Sequence, residues 1–307
     1  MSAERSSLVL VTGATGFVGR HLVRGLLDAG HTVRCLVRSD PSRIGVADAS
    51  GRLQIAVGDI FDPGALQNAA AGADTVVHLV GIIREPRGST FWRVHVEGTI
   101  NVLTAAVRSG TRRFVHMSAL GTRADAKSRY HKSKWAAEQE VRGSGLTHLI
   151  LRPSVIYGPG DGFVSMLADM IRQAPLAIPV PGDGRTPLQP VWIGDLVQAV
   201  VRALAEPSLW DRTWEMGGPE PLTLDEIMLA IAEALSVRKR LVHIPTAFMV
   251  PAAWAMQSLL PNPPLTTDQL LMLGEPNTCD PRTLPDHFGV EPVSFRDGLG
   301  RYLSPRG

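Results

Sequence analysis

Tyr130 and Lys134 stand four residues apart in Tyr130-His131-Lys132-Ser133-Lys134, a spacing that puts both side chains on one face of a helix. A phenol beside an ammonium is a proton-transfer pair. The ordinary phenol pKa near 10 makes tyrosine a poor acid or base at neutral pH, and an adjacent positive charge favours the phenolate and pulls that value down. The bland alternative is a surface tyrosine next to a solvated lysine. A second chemical feature lies near the start of the chain, where Leu8-Val9-Leu10-Val11-Thr12-Gly13-Ala14-Thr15-Gly16-Phe17-Val18-Gly19-Arg20 joins an apolar run to a helix through three glycines spaced by three. Gly13 permits a tight turn, Gly16 a close backbone approach, and Gly19 the packing of helix against strand. A helix beginning there aims its unpaired N–H groups and the positive end of its dipole at a phosphate, so the segment reads as a dinucleotide site, with an ordinary glycine-rich turn as its rival.

These residues need elements to hold them. Phe17, Val18, Leu22, Val23, Leu26 and Leu27 recur at helical spacing, and Ala29-Gly30 ends that helix before a second strand, Thr32 to Val37. Further strands are expected at Leu53 to Val57, Thr75 to Val80, Phe114 to Met117 and His148 to Leu151, with helices near Gly64 to Ala71, Phe91 to Ser109 and Tyr130 to Arg142 between them. Short apolar strands alternating with helices predict an α/β fold, a doubly wound parallel Rossmann sheet with its ligands along the carboxyl ends of the strands. A smaller C-terminal cap follows. The nucleotide domain is expected over 1–160 with returning segments about 190–218, and the cap over about 161–189 and 219–307. Pro175, Pro179, Pro181, Pro187 and Pro190 mark long connections, and Thr223 with Glu226 forms a capping box for a helix over Leu224 to Leu235.

The composition narrows the classes. A chain of 307 residues with 44% hydrophobic and 20% charged residues is a globular protein with room for a sizeable core. A net charge of +2 and a single short basic run, Arg238-Lys239-Arg240, leave no electrostatic case for nucleic acid. The two cysteines, Cys35 and Cys279, lie far apart and neither has metal-ligand neighbours, which fits a reducing cytoplasmic setting and no metal. The start, Met1 to Ser7, is polar rather than a signal peptide. The apolar stretch Phe248 to Leu260, interrupted by Pro251, is too short to cross a bilayer; it is read as a packed cap helix, with a patch touching lipid or a partner subunit as the alternative.

Taken together, Gly13 to Gly19, Gly58-Asp59, His78-Leu79-Val80-Gly81, Glu97-Gly98-Thr99-Ile100-Asn101-Val102-Leu103, the Tyr130/Lys134 pair with Ala137-Glu138, and Leu151-Arg152-Pro153-Ser154-Val155-Ile156-Tyr157-Gly158-Pro159-Gly160 resemble the extended and atypical short-chain dehydrogenases/reductases. The segments Met117 to Gly121 and Trp214 to Leu224 are most similar to the atypical group related to the NADH:ubiquinone oxidoreductase 39-kDa accessory subunit. The resemblance covers nearly the whole chain. It implies a Rossmann fold carrying NAD(P), Tyr130 as the acid-base group and Lys134 on the nicotinamide ribose. It also implies cofactor contacts from Gly13, Thr15, Gly16, Phe17, Val18, Gly19, Asp59, Ile60, Val80, Gly81 and Pro153. Asp59 would meet the adenine amino group, its rival role being a helix cap before Pro63 and Gly64. A homodimer built on the helices around Phe91 to Ser109 and Tyr130 to Arg142 is expected by the same analogy.

Two departures from the family pattern matter. Where relatives place a Ser or Thr beside the catalytic tyrosine, just after the fifth strand, this chain has Ala119; Ser118 comes one residue early and Thr122 later. Ser118 is therefore the candidate third catalytic residue, with the reservation that one residue in an extended segment turns a side chain to the opposite face. At the end of the second strand, Val37 stands where NAD-selective relatives carry an acid, and Arg38 follows. A guanidinium there pairs with a 2′-phosphate, aided by Arg43, so NADP is expected ahead of NAD. His78 is expected to be a packed core residue and Asp195 a structural one. The expected function is hydride transfer between NADP(H) and a carbonyl, alcohol or sugar-type small-molecule substrate. The rivals are a non-catalytic NADPH-holding structural, redox-sensing or assembly module, and a membrane-surface assembly factor using the 248–260 patch.

Overall fold

The computed structural model describes residues 7–48, 50–86, 88–259 and 266–303, so most of the polar start and Leu260 fall outside the described residues. The first half alternates strands and helices: β1 (Leu8–Thr12), α1 (Phe17–Asp28), β2 (Thr32–Val37), β3 (Leu53–Val57), α2 (Pro63–Ala70), β4 (Thr75–His78), α3 (Gly98–Arg108), β5 (Arg113–Met117), α4 (Arg129–Gly143) and β6 (Thr147–Pro153). There follow β7 (Ile156–Tyr157), α5 (Phe163–Gln173), β8 (Ala177–Pro181), β9 (Pro187–Leu188), β10 (Val191–Trp192), α6 (Ile193–Ala205) and β11 (Arg212–Met216). The chain closes with β12 (Leu222–Thr223), α7 (Leu224–Ala234), β13 (Arg240–Ile244), α8 (Thr246–Leu259), α9 (Thr267–Leu273) and α10 (Phe295–Gly300).

Seven strands make one parallel sheet in the order β11-β6-β5-β4-β1-β2-β3. Alternation along each strand feeds two cores. Val9, Val11, Val33 and Cys35 pack with Leu22, Val23 and Leu26 of α1 and Leu196, Ala199 and Val200 of α6. On the other face, Leu10, Val76, Phe114 and Ile150 pack with Leu66 and Ala69 of α2 and Val102 and Ala106 of α3. The strand order reverses between β1 and β4, and such a switch point opens a crevice at the carboxyl ends of the strands. The doubly wound sheet is the one expected.

A third apolar cluster lies beyond the sheet, where Tyr157 and Trp192 meet Ile171 of α5, Ile178 of β8, Ile227 and Ile231 of α7, and Phe295 of α10. The capping box of α7 is present, with Thr223 and Glu226 bonding each other's backbone N–H. Two expectations change. The proline-rich stretch after Pro175 contains β8, which pairs in parallel with β13; a two-stranded ribbon is nearly all edge, and proline is tolerated there because a missing N–H costs no interior ladder bond. The apolar stretch from Phe248 does form a helix, but it is not the packed one expected: Ala253 is buried, whereas Phe248 is 73% exposed and Val250 48% exposed. No helix among the described residues is long and apolar enough to cross a membrane.

Candidate active site

The glycine turn is built as its residue types require. Gly13 has a φ of +78°, and a Cβ there would come within 3.1 Å of the Leu79 carbonyl carbon and the Val80 nitrogen. Only a residue without a side chain lets the turn after β1 lie against the end of β4. At Gly19 a Cβ would meet the Gly13 oxygen at 2.2 Å, so α1 starts in contact with the turn. Gly16 is the N-cap of α1 and no side chain bonds the first amides, which leaves them for an anion. Thr15, Phe17 and Val18 sit partly buried along the same turn. An exposed glycine, free first-turn amides and a positive dipole end form a donor set that fits a pyrophosphate.

Arg38, just past β2, is 81% exposed along its side chain, and its Nε lies 3.9 Å from Asp59 Oδ2. Asp59 accepts from the Phe61 N–H at 3.0 Å. It does not cap α2, the rival role expected for it: Asp62 does, accepting from Gly64 and Ala65. Ile60 packs its side chain where a Cβ on Gly98 would lie 2.6 Å away, and its carbonyl accepts from Asn101. Pro153 closes β6, and its carbonyl accepts from the Leu120 N–H at 2.9 Å.

Tyr130 and Lys134 share a face of α4, as their spacing predicts. The Tyr130 ring is held edge-on by Phe91 at 5.7 Å, His95 at 5.4 Å and His131 at 5.3 Å between centroids. Lys134 is 4% exposed, and its Nζ donates to the Met117 carbonyl at 2.9 Å. Burial pulls the ammonium pKa down to about 8, against the pull of Glu138 in the other direction. The phenol is a correction: burial pushes Tyr130 up to about 12, not down, because desolvation disfavours the phenolate. A Cβ on Gly81 would lie 3.2 Å from Lys134 Nζ, so the strand end that touches Gly13 through Leu79 and Val80 reaches the lysine one residue later.

Ser118 is the second correction. Its hydroxyl donates to Glu138 Oε1 at 2.6 Å, inside a buried cluster in which Arg152 bonds both oxygens of that carboxylate and Arg142 bonds one. Thr122 lies 3.4 Å from Ser118 and joins the same cluster. The Ser118 hydroxyl is thus turned into the interior, and Ala119, the next residue, carries no hydroxyl. His78 is a core residue as expected, 1% exposed, with its Nδ1 2.7 Å from the Thr12 hydroxyl.

Two residues escaped the sequence. Asp268 of α9 accepts from the Arg129 N–H at 2.8 Å and the Tyr130 N–H at 3.1 Å, while Ser128 accepts from His131. Three of the first amides of the helix bearing Tyr130 are thereby satisfied, two of them from the far end of the chain. His95, buried beside Tyr130, sits in a π-helical turn, Trp92–Glu97, that no periodicity announces.

The signature of the NAD dependent epimerase/dehydratase family matches residues 9–217. A ceramide reductase of Caulobacter vibrioides is 32% identical over 267 residues, covering 85% of this chain and 83% of that protein. The mitochondrial NADH-ubiquinone oxidoreductase 40 kDa subunit of Neurospora crassa is 25% identical over 307 residues, covering 97% and 80%. Among solved structures, the dTDP-glucose 4,6-dehydratase DesIV of Streptomyces venezuelae, solved with NAD and TYD bound, superimposes with a TM-score of 0.75 at 24% identity, covering 96% of this chain and 95% of that one.

Proposed function

We propose, from the premise that this chain belongs to the NAD dependent epimerase/dehydratase family, that it transfers a hydride between NADP(H) and a carbonyl carbon on a long apolar substrate. One observation carries the reading: the phosphate cradle at Gly13 and the ammonium of Lys134 both pack against the single backbone stretch Leu79 to Gly81. A dinucleotide laid along that stretch has its diphosphate at the α1 amides and its reacting ring beside Tyr130. Gly13, Thr15, Gly16, Phe17, Val18 and Gly19 would hold the diphosphate side, Asp59 and the Ile60 N–H the adenine, and Val80, Gly81, Lys134 and Pro153 the nicotinamide riboside. NADP is favoured over NAD because Arg38 is exposed at the end of β2, where Val37 leaves no carboxylate for a ribose hydroxyl.

The bound coenzyme supplies or takes up the hydride. Tyr130 does the proton work at its phenol oxygen. Burial keeps the proton there, which is the form a carbonyl reduction consumes, as charge on the substrate oxygen draws it across. Lys134 supplies positive charge that favours the phenolate left behind. Ser118 is excluded from this step by its bond to Glu138, so reduction runs without a second hydroxyl donor, a handicap of order 10²–10³ in rate by analogy with oxyanion donors. The ceramide reductase relationship favours a lipid-like carbonyl over a nucleotide sugar, since the sugar-nucleotide enzymes share the fold at lower identity.

The test is NADPH oxidation against a panel of long-chain ketones, wild type beside Tyr130→Phe. Turnover that falls at least about 100-fold in the variant, with coenzyme binding retained, supports the reading. Tight NADPH binding with no turnover on any carbonyl favours the second reading, a coenzyme-holding module, for which Ala119 and the relationship to a respiratory-complex subunit speak.

A further inference from the structure

We infer that His95 is a positioning residue that holds the Gly81–Ile82 backbone at a fixed distance from Tyr130 and Lys134 and so sets the width of the slot for the nicotinamide riboside; this rests on the coenzyme reading above. His95 is 1% exposed, and both of its ring nitrogens are used. The Ile82 N–H reaches Nε2 at 3.0 Å, and Nδ1 lies 2.8 Å from the Ser133 hydroxyl. A backbone N–H can only donate, so Nε2 must present its lone pair and Nδ1 must carry the proton. That proton goes to Ser133, whose own hydroxyl donates to the Tyr130 carbonyl at 2.7 Å. The chain of bonds therefore has one direction, from Ile82 through the imidazole and Ser133 to the backbone of the residue that bears the phenol.

The π-helical turn makes this reach geometrically feasible. A regular α-turn through Trp92–Glu97 would rotate residue 95 relative to the sheet, whereas the wider turn holds its ring against Phe91, 5.6 Å away and near-parallel, and edge-on to Tyr130 at 5.4 Å. The Thr99 hydroxyl donates to the His95 carbonyl at 2.5 Å. A Cβ on Gly81 would lie 3.2 Å from Lys134 Nζ and 3.5 Å from His95 Nε2, so the strand end is wedged between the two side chains. Moving the imidazole moves the slot. Because Nε2 accepts and Nδ1 donates, His95 stays neutral and transfers no proton in the reaction.

Three substitutions separate positioning from filling. In His95→Gln the carboxamide oxygen stands two bonds from Cγ, as Nε2 does, and keeps the acceptor for Ile82. His95→Asn keeps only the donor nearer the backbone, and His95→Phe keeps the volume with neither. Isothermal titration with NADPH is expected to show a Kd raised about tenfold or more in His95→Asn and His95→Phe, the size of one lost hydrogen bond, and a Kd within about threefold of wild type in His95→Gln. In coenzyme-free wild type the Ile82 amide is expected to be protected from hydrogen exchange. Binding by His95→Phe within about threefold of wild type, equal losses in all three variants, or an Ile82 amide exchanging at the rate of an unfolded chain each overturns the inference. The exchange measurement decides it even where a variant fails to fold. Wild-type protein that binds neither NADPH nor NADH overturns the coenzyme reading, and this inference with it.

Discussion

The Ser118 hydroxyl points at Glu138 Oε1, 2.6 Å away, and not into the crevice that holds Tyr130. Glu138 is wholly buried and takes bonds from Arg152 and Arg142 as well, so Ser118 is one of several donors that make an interior carboxylate tolerable. Ser118→Ala is expected to lower stability by about 1.5–3 kcal/mol, the worth of a hydrogen bond to a charged group, and to leave kcat/KM for NADPH-dependent reduction within a few-fold of wild type. Chemical denaturation and steady-state kinetics check the two halves. A rate loss rivalling that of Tyr130→Phe, at unchanged stability, would return Ser118 to the chemistry.

Arg38 is the exposed cation at the end of β2, and its carboxylate neighbour is 3.9 Å away. At that exposure and distance the pair adds little to stability, so the guanidinium is available to a ligand. Arg38→Ala is expected to weaken NADPH at least about tenfold while changing NADH by less than about threefold, because only the former carries a 2′-phosphate for a charge-assisted bond. Titration of both coenzymes into both proteins measures the ratio. An unchanged ratio would move the selectivity elsewhere.

Asp268 ties the C-terminal part of the chain to the helix that carries Tyr130 and Lys134, through the N–H groups of Arg129 and Tyr130. An acceptor at a helix start is worth about 0.5–2 kcal/mol, and a carboxylate there gains from the dipole as well. Asp268→Ala is expected to cost that much in unfolding free energy and to speed hydrogen exchange over residues 128–134. Asp268→Asn, which keeps an acceptor oxygen, should recover part of the loss.

What could be read from the sequence follows its physics. The strand bounds of β2 and β3 were legible because apolar runs between breakers leave few alternatives, and the α7 start because a capping box is a local pattern. β8 was hidden by Pro179 and Pro181, which deny a strand to any reading that assumes interior pairing. The shared face of Tyr130 and Lys134 was legible because four residues on a helix is a fixed distance. The direction of Ser118 was not, because a strand end can leave its pleat after any residue, and only the buried Glu138 shows which way the hydroxyl turned. His95 and Asp268 act through contacts across 13 and 138 or more residues, made by a π-helical turn and a distant capping helix that carry no short-range signal.

Asp195 offers a stability test that needs no substrate. It sits 1% exposed near the start of α6, where its Oδ2 accepts from the Val293 N–H at 2.8 Å, and this fits the structural role expected from its position. Burial raises its carboxyl pKa from 3.8 to about 6, against the opposing effects of that hydrogen bond and of Arg301. A carboxyl whose folded pKa lies above the unfolded one favours the fold most when protonated. Its contribution is therefore full below about pH 4 and is lost as pH rises to about 6, where the charge must be buried. Asparagine keeps an acceptor for Val293 and carries no charge, so Asp195→Asn is expected to gain on wild type across that interval, by up to about 3 kcal/mol between pH 4 and pH 7. Urea denaturation of both proteins at pH 4, 5, 6 and 7 follows the difference. A difference independent of pH would mean that the Asp195 carboxylate is already compensated in the folded chain.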